Sequence, residues 1–213
     1  GPGWGLDGIF LTHAHVGHYV GLYHLGREVM GLGGVPVYCS ERMASFIREN
    51  EPWKQLVLQG RIRLRSFRDG EPLAAGPFQL VPLLVPHRDE LSDTYAFLVR
   101  GPSRTALHLP DIDSWEAWET PISKLLERVD YAWIDGTFFD AGELPGRDLS
   151  EISHPFVEHS LGLLSCLSPD VRARVRFTHL NHTNPLCLPS SAQRRMVEDS
   201  GFRVAVEGTV LPL

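Results

Sequence analysis

The stretch Phe10-Leu-Thr-His-Ala-His-Val-Gly-His-Tyr19 carries three histidines spaced H-x-H-x-x-H, directly after a short apolar run. Side chains two residues apart on an extended chain share a face. A strand ending at Thr12 therefore sends His13 and His15 the same way. His18 then enters from the first turn of a helix, so three imidazoles can converge on one or two metal ions. Neutral imidazole nitrogens suit zinc, iron and other borderline transition metals. Structural zinc is more often closed off by cysteines, whereas histidine-rich sites with carboxylates keep an open position. The stretch reads as a metal site built for chemistry rather than as scattered surface or core histidines.

His13-Ala-His15-Val-Gly-His18 resembles the first metal motif of the metallo-β-lactamase fold, written H-x-H-x-D-H. Further along stand Val85-Pro-His87-Arg-Asp-Glu90, Leu109-Pro-Asp111-Ile-Asp113, Ile134-Asp-Gly-Thr-Phe138, Glu151-Ile-Ser-His-Pro-Phe156 and His179-Leu-Asn-His-Thr-Asn-Pro185. These resemble the PqqB family of that superfamily, which acts in biosynthesis of the quinone cofactor pyrroloquinoline quinone. The last of them is the most specific, because generic enzymes of the fold do not carry it. The resemblance implies an α/β fold, the metallo-β-lactamase-like αββα sandwich of two mixed β-sheets flanked by helices.

It also implies a ligand set. His87 would complete a first metal site with His13 and His15, and Asp111 would be the bridging carboxylate. His18 and His179 would serve a second ion, with His182 as the rival late ligand or else a catalytic or substrate contact. The cofactor is then a divalent transition metal, zinc or iron, one or two per chain. Gly17 departs from the general motif, which has aspartate there. It removes a ligand of the second ion, and it could also serve as a flexible position opening the helix. Arg88, Asp89 and Glu90 either line the pocket or form a solvated turn. Asn181, Thr183 and Asn184 could supply neutral hydrogen bonds to ligands or substrate, and Asp135 could approach substrate or hold a ligand histidine in its tautomer. Asp113 reads as an N-cap for a helix beginning at Trp115, and His108 as a core histidine. The loop from Thr137 to Ser153 has the length of a lid. His154 either reaches the site from it or caps the helix after Pro155.

Other features bound the class. The chain has 213 residues, 43% hydrophobic and 22% charged, which suits one large soluble domain over residues 1–213. The net charge of −6 and the lack of a basic arm argue against a nucleic-acid partner. No apolar run approaches a membrane span. Cys39, Cys166 and Cys187 lack C-x-x-C spacing and read as buried spectators in a reducing cytoplasm. In this fold the histidine loop normally follows several strands. Its position at residue 13 makes an incomplete N-terminus the expectation, with Gly1-Pro2 a possible tag remnant.

Strands are expected at Gly8 to Thr12, Val35 to Cys39, Arg61 to Phe67, Phe78 to Val85, Thr94 to Val99, Thr105 to Leu109, Tyr131 to Ile134, Arg174 to Thr178, Phe202 to Val206 and Thr209 to Leu211. Helices are expected at Gly17 to Met30 (with Val20, Tyr23, Leu25 and Val29 as apolar positions), Glu41 to Arg48 behind an N-cap at Ser40, Trp115 to Arg128, and Ser190 to Asp199. Alternating strands and helices agree with the layered α/β fold.

Two mechanisms fit this pattern. In one, the metal lowers the pKa of bound water for hydrolysis, with Asp111 positioning the nucleophile. In the other, iron with open positions activates dioxygen, as the PqqB resemblance implies. The substrate is a small or peptide-derived molecule in either case. The alternative from another class is a catalytically idle metal-binding or partner protein, against which the retention of six candidate ligands argues.

Overall fold

A computed structural model describes residues 5–149 and 152–213, so Gly1-Pro2 and Glu151 of the Glu151-to-Phe156 motif lie outside the described residues. Contacts divide the chain into two units. One holds the residues up to Leu84 with Arg88–Tyr95, the other Val85–His87 with Ala96–Leu213.

In the first unit β1 (Ile9–Phe10), β2 (Val35–Cys39) and β3 (Ile62–Ser66) form a parallel sheet in that order, with Ile9 opposite Val37 and Val37 opposite Leu64. Parallel neighbours need crossovers, and helices supply them. α1 (Val16–Tyr19) runs into a 3-10 helix (Val20–Leu25) on the way to β2. α2 (Glu41–Glu49) and α3 (Trp53–Leu58) lead from β2 to β3. Val35, Val37 and Cys39 alternate along β2 and are buried against Met43, Ala44 and Ile47 of α2. Tyr19 closes the layer, its ring edge-on to Phe46 and Trp53 at centroid distances of 5.3 and 4.7 Å. Ser40 caps α2 as expected, its Oγ accepting from the Met43 amide at 3.2 Å. β4 (Leu73–Ala75) and the antiparallel β5 (Phe78–Val85) complete the unit, joined through Gly76 at a φ of +62°.

The long helix expected from Gly17 to Met30 is not formed. The helical run ends at Gly26, and Val20, Tyr23 and Val29 are exposed. Leu22 and Leu25 are the residues it buries. They are three apart, the spacing that a 3-10 helix aligns on one edge. Gly21 and Gly26 weaken the longer α-helix that the apolar pattern would otherwise support.

In the second unit β6 (Thr94–Arg100), β7 (Thr105–Leu109), β8 (Tyr131–Asp135), β9 (Val175–Thr178) and β10 (Arg203–Val204) lie in the order β10-β9-β8-β7-β6. β6 and β7 are antiparallel, and every later pair is parallel. Leu107, Leu109, Ala132, Ile134, Val175 and Phe177 make one buried face. The other face carries His108, Trp133, Arg176 and Arg203 side by side in register. His108 therefore lies on the accessible face, because pairing turns its neighbours Leu107 and Leu109 inward, although the surrounding protein still desolvates its ring and holds its pKa below the ordinary value.

Helices α4 (Ile122–Leu126), α5 (Val157–Leu163), α6 (Pro169–Arg172) and α7 (Ala192–Asp199) belong to this unit. The helix expected from Trp115 shrinks to α4, since Pro121 cannot donate inside a helix and sets its start. Trp115 is instead a buried anchor whose Nε1 donates to Ser160 Oγ at 2.9 Å. No strand forms at Thr209 to Leu211; Gly208, at a φ of +78°, turns the chain before it. Cys39 is buried, and burial pushes its thiol up to about 12. Cys166 and Cys187 are exposed, contrary to expectation. No helix among the described residues is long and apolar enough to cross a membrane.

Candidate metal centre

In the first unit the chain leaves β1 still extended. The Leu11 amide donates to Tyr38 O, the Tyr95 amide to Thr12 O, and the Ala14 amide to Ser92 Oγ at 2.8 Å. Held from both sides, the loop keeps the strand alternation that brings His13 and His15 together. His13 Nε2 stands 2.9 Å from His15 Nδ1, while His13 Nδ1 meets Thr12 Oγ1 at 3.1 Å. α1 starts at this point, with His18 N donating to His15 O, and it carries the His18 ring to 4.3 Å from that of His13. His13 thus has each of the other two histidines of the opening motif beside it.

Glu90 Oε1 lies 3.6 Å from His15 Nε2. A backbone hydrogen bond within Glu90 holds its carboxyl below the usual range against a desolvation penalty, and His15 and Arg88 add to the effect. Arg88 and Asp89 are exposed, and Asp89 is tied to α2 by Arg42, whose Nη2 donates to Asp89 O at 2.6 Å. That run is a solvated turn. Gly17 lies inside α1 without a positive φ, and a Cβ there would meet nothing within 4 Å. The backbone does not require glycine, so the lasting effect of this residue is the carboxylate it does not supply.

In the second unit the parallel strands β7, β8 and β9 end side by side, and Asp111, Asp135 and His179 stand at or just beyond their carboxyl ends. That edge of an open α/β sheet is where ligands bind. Asp135 is fully buried and is the hub. Its Oδ1 accepts from Thr137 N and Thr137 Oγ1 at 2.9 and 2.8 Å. Its Oδ2 accepts from Ile112 N at 3.1 Å and faces His154 Nδ1 at 2.7 Å. Thr137 Oγ1, its proton given to Asp135, accepts from His179 Nδ1 at 2.8 Å. The intervening Gly136 is required by close approach, because a Cβ would come within 2.8 Å of Phe177 Cβ. His179 itself has a φ of +59°, which bends the chain out of β9 and turns its ring toward Asp111, with Nδ1 at 3.4 Å from Oδ1.

His87 is buried, its Nδ1 2.9 Å from Asp113 Oδ1 and its Nε2 3.9 Å from Asp111 Oδ1. With the Nδ1 proton donated to a carboxylate, Nε2 keeps its lone pair for a metal, an arrangement that fixes ring orientation and raises basicity. Asp113 thus orients a histidine instead of capping a helix. His154 does not cap α5 either, since Phe156 is the residue before the helix; it joins the group through Asp135 and approaches Asp111 at 3.8 Å. One ligand atom from each of His87, Asp111 and His154 lies within 4.8 Å of the others, as does one from each of Asp135, His154 and His179. Two buried carboxylates among three imidazoles make a donor set suited to a divalent cation, which offsets the cost of burying negative charge.

Some predicted residues fall outside these groups. His182 is exposed and belongs to no metal-sized group among the described residues. Asp135 is too deeply buried to touch substrate. Asn181 donates to Thr183 Oγ1 at 2.7 Å. Asn184 is buried, donates to Gly136 O and Thr137 O at 2.8 and 3.1 Å, and accepts from Leu186 N. It buttresses the turn that presents Thr137 rather than contacting substrate. Asn184→Ala is expected to cost about 2–3 kcal/mol through unsatisfied buried groups. A urea unfolding curve superimposable on that of the unmodified protein would refute this.

Residues 4–180 match the family model described as the beta-lactamase superfamily domain. Coenzyme PQQ synthesis protein B of Nitrosococcus oceani is 26% identical over 231 residues, covering 96% of this chain and 73% of that protein. The protein of the same name from Xanthomonas axonopodis pv. citri is 23% identical, covering 98% and 73%. Among solved structures, zinc-bound PqqB from Methylobacterium extorquens matches with a TM-score of 0.80 at 18% identity, covering 100% of this chain and 77% of that one. A diphosphatase of the PhnP family matches at 0.65 and 19% identity, covering 94% and 68%. The solved structures share the fold.

Proposed function

The chain belongs to the beta-lactamase superfamily domain family, and from that premise we propose a metal-dependent enzyme performing hydrolysis on a small or peptide-derived molecule. The observation that carries this reading is the approach of His87 and His179 to the buried Asp111 carboxylate, at 3.9 and 3.4 Å, with His87 already oriented by Asp113. The proposed ligands are His13, His15, His18, His87, Asp111 and His179. A bound zinc or iron ion supplies Lewis acidity, polarising the scissile group and acidifying water.

The chain's own residues supply the rest. Asp111 gives a buried negative charge that neutralises the cation and orients the attacking water. His154 is the proton carrier in this proposal. Its Nδ1 is held by Asp135 at 2.7 Å, and Nε2 is the nitrogen that would hand a proton to a leaving group. Nε2 takes that proton from the attacking water, and the Asp135 carboxylate stabilises the imidazolium until the proton passes on, as a buried aspartate does for histidine in a catalytic triad. This role passes to His154 and not to the exposed His182. We also propose a cytoplasmic location, since the two exposed cysteines are free thiols that suit a reducing compartment.

Dioxygen chemistry at iron is a second reading, favoured by Gly17, which withholds a carboxylate ligand from a second ion. Elemental analysis of anaerobically purified protein separates the two. Two zincs per chain support hydrolysis, whereas one iron moves the weight to oxygen chemistry. His15→Ala is expected to lower metal content at least tenfold and His108→Ala to leave it unchanged. Equal metal in both variants would sink the ligand assignment.

A further inference from the structure

Register places Arg203 of β10 directly opposite Arg176 of β9. Arg194 of α7 joins them, and with Glu198, Phe202 and Val206 they line a cavity of about 520 Å³ within the second unit. Arg194 is satisfied locally, its Nε 3.1 Å from Glu198 Oε1 and its Nη1 donating to Leu186 O. Arg176 and Arg203 are different. Each gives one hydrogen bond to a backbone carbonyl, that of Arg174 and that of Ala173 respectively. Among the described residues neither has a carboxylate partner.

The position of Arg176 is fixed from below. Its guanidinium lies over the rings of Trp133 and Tyr131, with centroids at 5.5 and 5.9 Å. Burial, and secondarily the charge of Arg203, pull its pKa below the ordinary value. Arginine nonetheless stays protonated in proteins, so two like charges are held together with unused N–H donors. Three guanidiniums against the single carboxylate of Glu198 leave the cavity with two net positive charges.

We propose that this cavity is a binding site for a dianionic phosphate group. A tetrahedral dianion matches the charge and offers oxygens to two guanidinium forks at once, the geometry in which arginine outperforms lysine. A single carboxylate would satisfy one fork and leave the other. Phe202 and Val206 give the cavity an apolar wall, which suits the carbon body of a phosphate monoester as well as the free ion. Arg176 precedes His179 by three residues on an extended strand, about 10 Å at the usual rise. The site is therefore separate from the metal group and does not depend on the hydrolytic reading.

Isothermal titration calorimetry of the metal-loaded protein tests it, with inorganic phosphate and phenyl phosphate as probes. The unmodified protein is expected to bind with saturable one-site behaviour. The R176Q/R203Q variant is expected to lose at least tenfold in affinity, with metal content unchanged. E198Q, which removes the competing carboxylate, is expected to bind several-fold tighter and keeps the test valid should the double variant fail to fold. Tighter binding of phenyl phosphate identifies an ester as the ligand, and equal binding identifies free phosphate; both support the site. Equal phosphate affinity in all three proteins would overturn it, as would absence of binding to the unmodified protein.

Discussion

Asp135→Ala is expected to lower the stability of the protein by about 3–5 kcal/mol, the scale seen when one member of a buried charged network is deleted. The carboxylate is fully buried and serves four donors: the amides of Ile112 and Thr137, Thr137 Oγ1, and His154 Nδ1. Water cannot replace it without a cavity, and each stranded amide alone costs about 1–3 kcal/mol. Asp135→Asn is the informative companion. Its oxygen can still serve Thr137, but its amide nitrogen would face the Ile112 amide, donor to donor. Its loss should lie between zero and that of the alanine variant. Equilibrium urea unfolding reads both. A loss under about 1 kcal/mol for Asp135→Ala would show that the network contributes little to the fold.

Asp111→Ala is expected to behave in the opposite manner, and the contrast separates a ligand from a structural hub. Asp111 Oδ1 faces His87, His154 and His179 at 3.9, 3.8 and 3.4 Å. The orientation of each ring is set by another partner: Asp113, Asp135 or Thr137. Removing Asp111 should leave those partnerships intact, so the metal-free variant should unfold near the metal-free unmodified protein. Stabilisation by added metal should disappear. A ligand present at a hundred times its dissociation constant adds about 2.7 kcal/mol to the native state, and that increment is what the variant should lack. Thermal melts with and without zinc measure it. An undiminished zinc-dependent rise in Tm for Asp111→Ala would remove Asp111 from the ligand set.

The strands that deliver these residues were readable because they alternate or are continuously apolar: β2, β5, β7, β8 and β9 lie within a residue of where the apolar pattern puts them. The helices were less readable. Apolar spacing from Gly17 onward looks helical at a period of 3.6, yet local glycines and a 3-10 winding bury Leu22 beside the expected Leu25 and leave Val20, Tyr23 and Val29 exposed. Six residues of α3 are too few for any period to emerge. At the site, His13, His15 and His18 could be named because ligand chemistry and spacing limit which residue types can serve, and His87, Asp111 and His179 because the family resemblance implies them. Of the residues that orient histidines, Asp135 could be named as a holder of an imidazole tautomer, and the others could not. Asp113, Thr137 and Ser92 act through single hydrogen bonds to neighbours that are distant in sequence or lie around a turn, and any polar side chain looks alike before the chain is folded. Asn184 shows the converse, since a polar residue beside a candidate ligand reads as a hydrogen-bond partner of ligand or substrate, whereas it braces the backbone at Gly136 and Thr137.

The left-handed backbone at His179 has an implication for how far this protein could be stabilised by redesign. A side chain with a Cβ held at that φ costs roughly 1–3 kcal/mol, and glycine would recover most of it. A sequence optimised for folding alone would therefore carry glycine at position 179 and lose the imidazole that Thr137 holds toward Asp111. Consensus or thermostability engineering that treats this position as a turn would trade away the site while improving the melt. Position 179 is one to exempt from any such library.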